Sequence, residues 1–197
     1  MGWLSTMVYL QFLWTVGVLL GLVVGGLFPS TVALFSVQRD LTNDGTDGIL
    51  KEKFWKVYKE SFKKANCLGY SLIAISALLI VYIRLSMQIQ NTLAPIFLFL
   101  SYGFLVLFLL AVLYIFPIFV HLDLNISQII RHAVIIMFLS PFQTIKVMVL
   151  SMIFGYSIVR FTILLPFISL AIFCYWIMKI VNEAIYKVTI KSYEKER

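Results

Sequence analysis

Long apolar runs separated by short polar segments dominate this chain of 197 residues. A helix that crosses a bilayer needs roughly 20 mostly apolar residues. Runs of this kind predict five spans, over residues 7–28, 65–83, 92–120, 129–154 and 159–181. The fourth run contains Pro141, which leaves open whether it is one kinked helix or two pieces. We therefore predict an all-α fold, a polytopic bundle of about five transmembrane helices in a single membrane domain over residues 1–197.

A pattern with helical period occupies Lys51–Lys64, between the first two runs. At about 100° per residue, aromatic side chains gather on one side and lysines on the other. A basic amphipathic helix of this kind is typical of the membrane interface, with lysines toward anionic lipid headgroups. It anchors the second span or forms a docking surface for a partner, and both interpretations stay open. The candidate residues for contact with lipid or a partner are Phe54, Trp55, Lys56, Tyr58, Lys59, Phe62, Lys63 and Lys64.

The first run carries Gly17, Gly21 and Gly25 at four-residue spacing, with Gly26 beside them. On one continuous helix these residues share a face, where another helix backbone can approach closely. They are candidate helix-packing residues, either against this protein's own spans or against a partner. Pro29 follows and predicts a helix break or a new helix start.

Composition and charge support a membrane location. The chain is 61% hydrophobic and 13% charged, with a mean hydropathy of +0.97, against roughly 25% charged residues in soluble domains. The net charge of +7 comes from clusters beside the apolar runs, which indicates contact with anionic lipid rather than nucleic acid. Lys and Arg concentrate between the first two spans and in the C-terminal tail, so both segments are predicted to be cytoplasmic. Five spans then place the N-terminus outside and the C-terminus inside.

Residues that could carry chemistry are scarce. No predicted span contains Asp or Glu, and the chain lacks HExxH, GxSxG and P-loop motifs, which argues against an enzyme or an ion-coupled transporter. We expect no cofactor and no metal, and we interpret His121, Asp123 and His132 as solvated. Cys67 and Cys174 are expected to be buried free thiols.

The order of features resembles a known family. A Gly-rich, Pro-Ser-Thr turn (GGLFPSTVALFSVQRD) follows the first apolar run, and a basic aromatic stretch (FWKVYKESFKKANCLGY), three further apolar segments and a basic tail complete the chain. This order is similar to that of the YesL-like integral membrane proteins of Gram-positive bacteria. Genes of that family commonly lie beside those for carbohydrate importers of the ABC type and their sensor kinases. The resemblance implies a place in the bacterial cell membrane and a role with such an importer.

Three hypotheses about function follow. The first is a non-enzymatic accessory subunit that contacts the permease of a carbohydrate ABC importer through the glycine face and the basic helix. The second is a regulator that couples sugar supply to a membrane sensor kinase. The third is a small transporter or channel that acts alone.

Overall fold

The computed structural model describes residues 2–43, 50–88, 94–122, 124–160 and 165–195, with backbone alone at residues 43, 94, 165–169 and 189–195. The described chain is all helical, as predicted. Its helices are α1 (Trp3–Leu20), α2 (Leu27–Asn43), α3 (Leu50–Ser86), α4 (Ala94–His121), α5 (Ile126–Leu139), α6 (Pro141–Arg160) and α7 (Leu165–Lys195).

The first two helices form an antiparallel hairpin. Helix α1 ends at Leu20, and a turn over residues 21–26 leads into α2. Trp14 Nε1 donates a hydrogen bond of 3.2 Å to Thr31 Oγ1, so the two legs run side by side in opposite directions. The predicted single span over residues 7–28 is therefore wrong in extent. Among the described residues before Arg39, α1 is the helix long and apolar enough to cross a membrane, and the outside N-terminus stays a prediction.

The basic amphipathic segment and the second predicted span form one helix. Helix α3 runs without interruption through 37 residues, about 55 Å at 1.5 Å per residue. Its first half packs against the hairpin, because Lys53 forms an ion pair with Asp40 of α2 and Tyr58 reaches Gly17 at the end of α1. The predicted separate helix at the interface is thus the beginning of the second span.

The fourth predicted span consists of two helices. Helix α5 ends at Leu139, and α6 begins at Pro141, whose ring disfavours helical geometry in the residue before it. Thr144 Oγ1 compensates for the break, since its one hydroxyl proton can be donated to the carbonyl of Met137 at 2.8 Å or shared with that of Ser140 at 3.1 Å. With 14 residues, α5 is about 21 Å long, which is short of the roughly 30 Å hydrocarbon core.

Four of the described helices are long and apolar enough to cross a membrane, namely α1, α3, α4 and α6. The fifth predicted span, over residues 159–181, lies partly outside the described residues. With several such helices, the fold is that of a multi-pass helical membrane protein.

Helix α2 lies at the centre of the bundle and packs against α1, α3, α4 and α7. All seven helices contribute to one apolar core. Two buried glutamines tie the hairpin to α7: Gln11 Oε1 accepts the backbone N–H of Ala171 at 3.0 Å, and Gln38 Nε2 donates to the carbonyl of the same residue at 2.7 Å. In apolar surroundings such bonds fix register, because polar groups there need a partner.

Candidate functional site: the glycine turn and the basic face of α3

The turn between α1 and α2 depends on the absence of side chains at its glycines. A Cβ at Gly26 would lie 2.5 Å from the carbonyl oxygen of Gly17 and 2.6 Å from that of Val18. A Cβ at Gly21 would collide with the backbone of Gly26 and lie 2.9 Å from Tyr58 Oη. The obstructing atoms are mostly backbone, so the chain cannot relieve the contact by a rotamer change. The glycines therefore make the tight reversal possible.

Side chains from α3 satisfy backbone groups at this turn. Tyr58 Oη donates to the Gly17 carbonyl at 3.0 Å, and Asn66 Nδ2 donates to the Gly25 carbonyl at 2.9 Å. Tyr70 Oη reaches the Val24 carbonyl at 3.4 Å. An apolar environment offers no water for such carbonyls, so non-helical backbone needs protein donors there. The first half of α3 thus acts as a clamp on the hairpin.

The tip of the turn is apolar and conformationally strained. Leu22 and Val23 have φ values of 55° and 65°, the left-handed region that bulky and β-branched residues rarely adopt. The side chain of Leu22 is 86% exposed, and Val23 and Val24 are exposed as well. An apolar tip of this kind fits lipid better than water.

The four candidate glycines do not form the single helix face that their spacing predicts. Gly17 lies in α1, Gly21 caps it, and Gly25 and Gly26 belong to the turn. Gly17 faces Ser30 and Phe54, and Gly26 packs on the end of α1. The space beside these glycines is therefore filled by this chain's own helices, the first of the two interpretations left open above.

The basic segment has the predicted amphipathic division. Phe54 and Tyr58 are buried, Trp55 and Phe62 are half-buried, and Lys56, Lys59 and Lys63 are exposed. Lys64 is half-buried, with Nζ 5.4 Å from the centroid of the Phe119 ring. The aromatic side chains form a connected cluster, with Tyr58 at the centre, 5.4 Å from Trp55 and 5.7 Å from Phe62. The hairpin covers Phe54 and Tyr58, so the expectation that these two side chains contact lipid or a partner is wrong.

The remaining candidate chemistry is modest. The Nδ1 atom of His121 lies 2.9 Å from the Pro117 carbonyl of its own helix, and Asp123 lies outside the described residues. No group of three or more potential metal ligands occurs among the residues that the structure describes. Cys174 is buried as expected, whereas Cys67 is exposed, contrary to the expectation.

Sequence reasoning missed the residues that hold the hairpin together. Asn66 and Tyr70 fell inside the predicted span over residues 65–83 and were given no role. Asn66 lies at the start of the apolar run that follows Lys64. A hydrogen-bonding side chain at such a position is the sequence feature that could have identified it. Arg39 was counted only as a topology signal, although its Nη1 donates to the Val120 carbonyl and its Nε donates to Asp40 at 3.3 Å.

Fold and site together define a multi-pass helical membrane protein with a glycine-hinged N-terminal hairpin clamped by a long basic helix. The family model described as "Protein of unknown function, DUF624" matches residues 7–83, which include most of this hairpin and most of α3. The uncharacterized protein YesL of Bacillus subtilis is 31% identical over 144 residues, which cover 73% of this chain and 67% of YesL. The chain belongs to the YesL-like family.

Two further proteins of Bacillus subtilis are similar in sequence to this chain. The uncharacterized protein YteU is 29% identical over 196 residues, covering 99% of this chain and 87% of YteU. The uncharacterized protein YesV is 30% identical over 138 residues, covering 69% and 65% of the two chains. No solved structure matches the chain.

Proposed function

We propose that this protein is a non-enzymatic accessory subunit in the bacterial cell membrane that binds the permease of a carbohydrate ABC importer and supports its assembly, stability or activity. The resemblance to the YesL-like family supplies the importer as the partner. The structural observation that supports a partner is the apolar surface of α6, which the rest of the bundle leaves largely uncovered.

Only Gln143 and Val147 of α6 are buried. Phe142 and Val159, near its two ends, are 77% and 80% exposed. Lipid can cover such a surface, but it does not fix the position of a helix, because lipid tails are as apolar as the side chains they replace. Within its own chain α6 packs against α4, α5 and α7 on one side, and a helix of another chain can pack against the side left exposed.

Helix α6 also offers the close approach that the N-terminal glycines do not. A Cβ at Gly155 would meet nothing within 4 Å. Ser151 lies four residues earlier and therefore on the same side of the helix. Small residues at this spacing let two membrane helices approach closely. The proposed permease contact accordingly moves from Gly17, Gly21 and Gly25 to α6, while the exposed lysines of α3 remain available to cytoplasmic parts of the importer.

The test is purification of the tagged protein from its native membrane in mild detergent, with the co-purified proteins identified by mass spectrometry. We expect the permease of a carbohydrate importer in stoichiometric amount. The variant Gly155→Phe should reduce that amount severalfold, because it fills the close-approach surface from a position where an added Cβ meets nothing within 4 Å. Gly103→Phe is the matched control, since a Cβ at Gly103 on α4 also meets nothing within 4 Å.

Recovery of the protein without any permease would refute the proposal. Recovery with a sensor kinase instead would replace it with the regulatory hypothesis. Equal loss of permease in both glycine variants would refute the assignment of the contact to α6.

A further inference from the structure

A cleft of about 360 Å³ opens between α2, α3 and the end of α4, away from the glycine turn. Arg39 and Ser36 line it from α2, and Glu60, Ser61 and Lys64 line it from α3. Its apolar wall includes Phe119. None of these groups has a role in the proposed contact of α6 with a permease.

We propose that this cleft binds the headgroup of an anionic phospholipid, with the phosphodiester between Arg39 and Lys64. The guanidinium of Arg39 is oriented by its bonds to the Val120 carbonyl and to Asp40. Its five N–H donors exceed the two used in those bonds. Lys64 approaches from the opposite helix, with its ammonium above the Phe119 ring. Lys64 also has a further interaction within the chain, and the three N–H donors of its ammonium still allow a bond to a phosphate. Two cations on facing helices can then give a phosphate charge-assisted hydrogen bonds from both sides.

The polar groups around the cations distinguish a headgroup from a bare anion. Ser61 is buried, and its hydroxyl donates to the Val57 carbonyl at 2.7 Å, so it can serve a ligand only as an acceptor. Glu60 lies one helical turn before Lys64 and adds a carboxylate at the rim. A carboxylate repels a doubly charged phosphomonoester more strongly than a singly charged phosphodiester, and it accepts hydrogen bonds from hydroxyl groups. The ligand that matches both features carries a phosphodiester followed by hydroxyls, which is the chemistry of a phosphatidylglycerol headgroup.

The position of the cleft along α3 agrees with a lipid ligand. Lys64 is the last charged residue before the apolar stretch that continues to Ile83. A cleft at this boundary lies at the depth where headgroups meet hydrocarbon, because long basic side chains mark that depth. The apolar wall formed by Val32, Val57 and Phe119 then accommodates the glycerol backbone and the first methylenes of the acyl chains.

The test uses the full-length protein in detergent and measures lipid binding by native mass spectrometry, with phosphatidylglycerol, phosphatidic acid, phosphatidylcholine and soluble glycerol phosphate as probes. We expect phosphatidylglycerol to bind most tightly. Lys64→Gln should weaken its binding about tenfold or more, because one charge-assisted contact is lost. Lys59→Gln is the matched control with the same charge change on an exposed position, and its binding should stay within about twofold of that of the unmodified protein.

Glu60→Gln tests the second half of the proposal. It should lower the preference for phosphatidylglycerol over phosphatidic acid, while binding of phosphatidic acid stays equal or rises. Thermal unfolding of each variant without lipid, together with Arg39→Lys as a second, charge-conserving variant, separates loss of the site from loss of the fold.

Several outcomes would overturn the proposal. Equal binding of phosphatidylcholine and phosphatidylglycerol would exclude an anionic headgroup. Binding of glycerol phosphate as tight as that of the lipid would assign the cleft to a soluble phosphate ester. Equal losses for Lys59→Gln and Lys64→Gln would reduce the effect to general surface charge.

Discussion

Replacement of Gly26 by alanine should destabilise the protein through a contact that the fold cannot relax. The added methyl group would lie 2.5 and 2.6 Å from the carbonyl oxygens of Gly17 and Val18, and 2.9 Å from the Val18 Cα. All three neighbours are backbone atoms at the end of α1, so relief requires the hairpin legs to separate. Overpacking of this kind costs about 1–3 kcal/mol, and we expect the upper half of that range because no side chain can rotate away.

The matched control is Gly103→Ala, at a helical position where the methyl group meets nothing within 4 Å. Alanine is favoured over glycine in a helix by roughly 0.5–1 kcal/mol, so this variant should be as stable as the parent or slightly more stable. For a chain of this size 1 kcal/mol corresponds to roughly 2–4 °C in Tm. The two alanine variants should therefore differ by about 4 °C or more.

The buried Cys174 provides the assay. Its thiol is 3% exposed and becomes reactive toward a fluorogenic maleimide only on unfolding. The exposed Cys67 is first replaced by serine, so that a single thiol reports the transition in mild detergent. Equal Tm values for Gly26→Ala and Gly103→Ala would refute the close approach of the turn to α1, and with it the hairpin as described.

Further predictions use the same serine background. Tyr58→Phe removes a donor to the hairpin and should lower the free energy of unfolding by about 1 kcal/mol, whereas the exposed Tyr82→Phe should leave Tm unchanged; equal shifts would contradict the clamp. Lys146→Ala breaks an exposed ion pair with Glu183, in which the nitrogen and oxygen lie 3.3 Å apart. It should change the free energy of unfolding by less than about 1 kcal/mol, and a large drop in Tm would contradict the exposure of this pair. The hairpin returns the chain to the end of the bundle at which it began. Ser5→Cys and Lys51→Cys should therefore react with an impermeant maleimide from the same side of the membrane, which the density of lysines predicts to be cytoplasmic. Labelling from opposite sides would mean that the chain crosses the membrane once between these two residues.

The helical membrane character was predictable because it depends on local composition. Apolar runs of sufficient length have few alternatives to a spanning helix, and α4 closely follows its predicted span. The amphipathic period of Lys51–Lys64 was also read correctly as a helix with one covered and one exposed face. Periodicity reports that a face is covered and does not identify the cover, which is why lipid was predicted where the α1–α2 hairpin lies.

The hairpin itself was not predictable from the glycine spacing. Gly17, Gly21 and Gly25 fit a continuous helix as well as they fit a turn, because glycine tolerates both. The choice is made by tertiary contacts, since Tyr58 and Asn66 supply donors to carbonyls 41 residues earlier in the chain. A sequence pattern with helical period contains no information about such distant partners. The break in the fourth predicted span was not predictable for the same reason. The hydroxyl of Thr144 reaches the carbonyls of Met137 and Ser140 because α5 has ended before Pro141.

The fold separates the residues that build the bundle from those left for interactions. The N-terminal glycines and the apolar side of the α3 basic segment, which sequence alone offers as interaction surfaces, are used for internal packing. What stays exposed includes the lysine face of α3, the apolar second half of α3, the first half of α4 and most of the outward side of α6. The cleft with Arg39 and Lys64 shares no residue with α6. A variant that abolishes lipid binding in the cleft can therefore retain its permease, and Gly155→Phe can lose the permease and still bind lipid. If both properties were always lost together, the cause would be the clamp that holds α2 against α3 rather than either surface.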